Sequence, residues 1–109
     1  MKIKDAKVYP LSDIAKLAQT QIQQDYPNLD PIIGISHNLR KAGFAADTLT
    51  IDNISNDKRI VMIIFDDQPE QVQYEFCRIS QDPSFEFTTI AIKDLTQKRF
   101  YAIMVKALS

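Results

Sequence analysis

Apolar residues recur along this chain with two different periods, and the change from one to the other divides it. Between residues 12 and 43 they fall at helical spacing. Ile14, Leu17, Ala18 and Ile22 line one face, opposite Lys16, Gln19 and Gln23, with Ser12 ahead of them as a candidate N-cap. Pro27 ends that segment. Asp30-Pro31 then sets a capping acid before a proline, a favoured helix start, and Ile32, Ile35, Leu39 and Ala42 supply a second apolar face. Gly43 suits the left-handed residue that closes a helix. These signals predict a helical hairpin over 12–43. Residues 3–9, anchored by Ile3 and Val8, read as a short strand or extended arm before it.

Beyond Gly43 the period becomes two. Leu49 and Ile51 alternate with Thr48, Thr50 and Asp52, residues 55–58 carry turn chemistry, and 60–65 is a β-branched run of strand length. Residues 66–70, with Pro69, read as a loop. Val72, Tyr74 and Phe76 then alternate with Gln71, Gln73 and Glu75. Val72, Phe76 and Ile79 also fit a helix, but Tyr74 fits only a strand, so 71–79 is assigned to one. Residues 81–84 form another turn, Phe85 and Phe87 begin a last strand reaching about residue 92, and a final helix runs from about Asp94 to Leu108. Short connections between consecutive strands favour antiparallel neighbours. The expected fold is α+β: an N-terminal helical hairpin, a four-stranded antiparallel β-meander and a C-terminal helix packed on the sheet, in one domain spanning 1–109.

Two elements carry more apolar surface than a two-layer fold of this kind needs. The 60–65 strand has no polar face, so both of its sides want cover. In the last helix Phe100, Tyr101, Ile103, Met104, Val105, Ala107 and Leu108 spread over an arc of roughly 200° at about 100° per residue. Either the chain's own helices cover the excess or a partner does, most simply a second copy about a two-fold axis. Tyr101, Val105 and Leu108 are the candidate partner surface.

Composition narrows the function classes. With 109 residues, 45% of them hydrophobic and 25% charged, the chain suits a folded domain that buries roughly two thirds of its unfolded surface. The net charge is −1, and basic residues occur as scattered pairs (Arg40-Lys41, Lys58-Arg59, Lys98-Arg99) rather than a stripe, which argues against nucleic acid. A single cysteine, Cys77, excludes an internal disulfide and multi-cysteine zinc sites. The apolar run at 60–65 is far too short to span a membrane, and the first residues lack a signal-peptide core, so the expected location is the cytoplasm.

Candidate chemistry is sparse. Asp66, Asp67 and Glu70, with Asp52 from a neighbouring strand, form the best acidic cluster for Mg²⁺ or Ca²⁺, although the same residues are good turn and capping chemistry and no calcium-loop spacing is present. His37 is the only histidine. On the predicted second helix it falls between Arg40 and Lys41, away from the apolar face, as a surface residue. Cys77, beside Phe76, reads as a semi-buried thiol. The aromatics Tyr74, Phe76, Phe85 and Phe87 have Glu75 and Glu86 among them, which suits core packing rather than base stacking. In element order the chain resembles the first half of the GNAT acyltransferases, but residues 94–99, where their glycine-rich pyrophosphate loop would fall, contain no glycine.

The expectation is therefore a non-enzymatic, cofactor-free protein-interaction module, self-associating as a dimer or binding another protein through apolar surface of the C-terminal helix and sheet. The alternative is a small ligand-binding protein or enzyme with a pocket between sheet and helices, using Asp66, Asp67 or Tyr74.

Overall fold

The computed structural model describes residues 7–81, 84 and 86–109. Its elements are α1 (Val8–Asp25), β1 (Ile32–Ser36), α2 (Asn38–Lys41), β2 (Ala46–Asn53), β3 (Lys58–Phe65), β4 (Gln71–Arg78), β5 (Thr88–Ala91) and α3 (Gln97–Leu108). The five strands form one sheet in the order β1-β2-β3-β4-β5, with every neighbouring pair antiparallel. The class is α+β as expected, but the sheet has five strands rather than four.

The extra strand comes out of the predicted hairpin. Residues 32–36 read Ile-Ile-Gly-Ile-Ser, and they extend instead of coiling. Stiff β-branched side chains favour the pleated surface. Ile33 and Ile35 pair with Ile51 and Leu49 on the core side, and Gly34 lies opposite Thr50. A Cβ on Gly34 would come within 3.2 Å of the Thr50 hydroxyl, so the glycine allows a close approach of the two strands. The predicted second helix shrinks to the single turn of α2, and Gly43, at φ 98°, makes the left-handed exit from it.

The first helix also starts earlier than its pattern implied. Pro10 sits in the first turn, where backbone N–H groups have no intrahelical partner and its missing donor costs nothing. Ser12 is therefore not an N-cap but a buried helical residue. Of the predicted strand or arm at 3–9, residues 3–6 lie outside the described residues and Val8 and Tyr9 are helical. The buried stripe is Val8, Leu11, Ala15, Ala18 and Ile22, which turns Leu17 outward at 56% exposure. Of the predicted last strand, Phe85 lies outside the described residues, and pairing begins at Thr88.

Helices α1 and α3 lie side by side on one face of the sheet. There Leu49, Ile51, Ile60, Met62, Ile64 and Val72 meet the α1 stripe and Phe100, Ile103, Met104 and Leu108 of α3. Thr96 caps α3, its hydroxyl accepting from Arg99 N–H. At the other end the side-chain amides of Asn53 and Asn56 donate to the Leu108 carbonyl. Among the described residues the opposite sheet face has no long helix. Ala46, Val61 and Ile63 form a small second cluster there, packed against Leu39, Phe65, Cys77 and Phe87.

Phe100 is fully buried at the centre of the main core. Phe100→Ala should cost about 3–5 kcal/mol in a denaturant melt. Phe44→Ala, at a side chain 59% exposed, should stay within about 0.5 kcal/mol.

Candidate functional site

The densest polar constellation joins residues that the sequence reading kept apart. Asp47 lies on β2 with its side chain 3% exposed. His37, between β1 and α2, directs Nδ1 to Asp47 Oδ1 at 2.6 Å, and its Nε2 is hydrogen-bonded to the Tyr9 hydroxyl at 2.8 Å. Arg40 of α2 donates Nε and Nη2 to Asp47 at 3.2 and 2.8 Å. Its Nη1 and Nη2 also donate to the two oxygens of Asp66, at 2.7 and 2.9 Å. The chain Tyr9–His37–Asp47–Arg40–Asp66 thus binds α1, α2, β2 and the loop after β3 at one end of the main core.

The electrostatics follow the geometry. Burial alone would push the Asp47 carboxyl upward, but hydrogen bonds from Arg40 and then His37 outweigh it and hold it below the ordinary carboxylate range. The Arg40 hydrogen bonds likewise hold Asp66 down, and the two aspartates, Asp66 first, push the guanidinium upward. A carboxylate orienting a histidine beside a hydroxyl is the arrangement that activates nucleophiles. Here the hydroxyl is a phenol of α1, both ring nitrogens are engaged inside the chain, and the guanidinium is held by two aspartates. The constellation is a closed structural network.

That network disperses the predicted acidic cluster. Asp66 turns to Arg40, whereas Asp67 and Glu70 line an open cleft of about 380 Å³ with Gln68, Pro69 and Gln71. Asp52 is bidentate to Arg59, at 2.7 and 2.9 Å. Among the described residues no group of three or more His, Cys, Asp or Glu is placed to hold a metal ion.

Of the predicted partner residues of α3, Leu108 is buried and Tyr101 and Val105 are half-buried. Leu108 is fully buried in the main core. The Tyr101 hydroxyl donates to Asp25 at 2.7 Å, which pushes its own pKa up to about 12, and its ring lies 6.4 Å from that of Tyr26. Val105 packs, half-buried, against the same core. Tyr74 belongs partly to that core and touches Phe76, ring centroids 5.7 Å apart.

Glu75 carries a function the sequence reading missed. Although 8% exposed, it takes the backbone N–H of Ser84 on Oε2 at 2.7 Å and that of Glu86 on Oε1 at 3.0 Å, clamping the loop that returns to β5. The one available signal was a carboxylate on a strand whose alternation placed it on the sheet face away from the helices. Burial first, and then the Glu75 charge, push the neighbouring Cys77 thiol upward.

Among the described residues no helix is long and apolar enough to cross a membrane. Comparisons with protein-family models, curated proteins and solved structures return no match for the chain.

Arg40→Ala leaves the buried Asp47 carboxylate with His37 alone. It should cost about 3 kcal/mol, the lower end for breaking a buried pair because Arg40 is 21% exposed. The depressed carboxyls of Asp47 and Asp66 stabilise the fold above their unfolded value near 3.8. That stability should be lost as pH falls below about 4, through the folded-state values. Thermal melts across pH 2–7 should show this acid loss in the wild type and a shallower one in Arg40→Ala. Iodoacetamide should label Cys77 in the native chain at neutral pH more slowly than it labels free cysteine.

Proposed function

We propose that the protein is a small non-enzymatic interaction module that pairs with a second copy of itself through the helix-free face of its sheet. The observation that carries this reading is the placement of both long helices on one side. The other face carries Gly34, Thr48, Thr50 and Gln73 around Val61 and Ile63, all by strand alternation and register. Val61 and Ile63 are 8% and 9% exposed, and the half-buried Leu39, Phe65 and Phe87 pack against their cluster. Ile32, 45% exposed, forms a corner of the face.

Charge on this face is mostly held in local contacts. Asp52 and Arg59 neutralise each other, and Glu75 is occupied by loop N–H groups. A face that carries one uncompensated carboxylate, itself buried and hydrogen-bonded, meets its own copy with little like-charge repulsion, and twisted sheets stack face to face at about 10 Å. A two-fold axis brings the same patch onto itself. The acidic-site alternative draws less support, because Asp66 is committed to Arg40.

Sedimentation at micromolar concentration should give twice the 12.5 kDa chain mass. Thr50→Lys, a charge in the middle of the face, should halve that mass while leaving the thermal melt of the monomer cooperative. A wild-type chain that sediments as a monomer sinks the proposal.

A further inference from the structure

We infer that α2 and its flanks, residues 37–45, form a strap that opens while the rest of the fold stays intact, uncovering the apolar cluster of the helix-free face. The basis is the way this segment is attached. α2 is a single turn, and none of its four residues is buried. Asn38 and residues 41–45 are exposed, Phe44 at 59%. The N–H groups of Lys41, Ala42, Gly43 and Phe44 all donate to carbonyls of residues 37–40, so the turn's own backbone bonds close on the turn. The strap rejoins the sheet at the Phe44 and Ala45 carbonyls, which accept from the N–H groups of Ala46 and Asp66.

Among the described residues, three side chains hold this segment down. Arg40 reaches Asp47 and Asp66, and His37 reaches Asp47 and Tyr9. Leu39, half-buried, packs against Ala46, Val61 and Ile63. A segment with little buried apolar surface and solvent-facing backbone bonds opens at the low end of the free-energy range, below the core. The latch is also of the kind that parts readily. Water rehydrates the guanidinium and both carboxylates when they separate, which offsets much of the attraction lost. Burial of Leu39 alone is left to oppose it.

The exit from the turn depends on a glycine. Gly43 has φ 98°, a conformation that other residues rarely adopt, and a Cβ there would meet nothing within 4 Å. A side chain at this position therefore strains the closed turn without clashing with the latch.

Opening withdraws Leu39 from the second cluster. Ala46, Val61 and Ile63 are 0%, 8% and 9% exposed with the strap closed. For the self-pairing proposed above, and only this consequence rests on that reading, the strap is an autoinhibitory contact: a second copy meets more of the apolar face once Leu39 has moved away.

Thiol labelling of the full chain carrying A46C/C77S with an aromatic disulfide reagent reads the opening, because position 46 lies in the cluster that Leu39 covers. Labelling should proceed at a rate independent of denaturant well below the unfolding midpoint, since local opening exposes little surface. Arg40→Ala, which unlatches the strap, and Gly43→Ala, which strains only the turn, should each speed it about fivefold or more. A labelling rate that climbs with denaturant in step with global unfolding would overturn the inference, as would a rate that both variants leave unchanged. Sedimentation tests the consequence separately. Gly43→Ala should tighten a wild-type dimer about threefold or more, and a dimer it leaves unchanged or weakens rules out autoinhibition. A monomeric wild type with denaturant-independent labelling sinks the pairing and upholds the strap.

Discussion

The first and last helices, from opposite ends of the described chain, must share one face of the sheet, and the rest of the molecule follows from that constraint. The shared surface is dry and close. Ala15 and Ala18 of α1 are fully buried, and their small side chains let α1 settle against its neighbours. Phe100 and Met104 of α3 are fully buried in the same layer over Leu49, Met62 and Ile60. At the rim, the Tyr101 hydroxyl fixes α3 to Asp25 at the end of α1. Once two helices occupy one face, α2 is a single turn that contributes only Leu39 to the other. The uneven cover of β3 is thus a consequence of topology.

Polar groups finish the ends of this layer, where apolar packing runs out. At one end Asp47 gathers His37 and Arg40, and Arg40 hands the charge on to Asp66. Such a network adds little stability over an apolar replacement, because taking the charges out of water offsets much of their attraction. What it does supply is direction: a guanidinium fork held by two carboxylates fixes where α2 and the loop after β3 sit relative to β2. At the other end Asn53 accepts from Asp30 N–H and donates to the Leu108 carbonyl, joining the entry to β1 to the end of α3.

The strands were legible where alternation was strong. The β2, β3 and β4 segments announced themselves by period two, and the ambiguous 71–79 stretch is a strand, as its Tyr74 implied. The helix boundaries were less legible because their signals are shared. Ser12 is a good N-cap residue, but Pro10 is equally at home in a first turn, and burying Val8 and Leu11 decides between them. Asp30-Pro31 is a good helix start and also a good lead into an edge strand. Ile33 and Ile35, paired against Ile51 and Leu49, show that tertiary burial chose the latter. The polar network was invisible for a related reason. His37 and Tyr9 are 28 residues apart, and Arg40 and Asp66 are 26 apart, so no local spacing connects them. Placing His37 in a long helix also gave it the wrong neighbours.

The two edges of the sheet are managed differently. The β1 edge is five residues long, follows Pro31, and has that proline's carbonyl engaged by Gln19 of α1. Short length and a nearby proline are ordinary protections for an edge. The β4 edge is protected along its first half by β5 alone. Past Tyr74 the Glu75 carboxylate accepts from the N–H groups of Ser84 and Glu86, and Asp57 accepts from that of Ser80. Phe76, Arg99 and Lys106 line a cleft between β4 and α3. Cations at an edge discourage pairing with another copy of the same cationic edge.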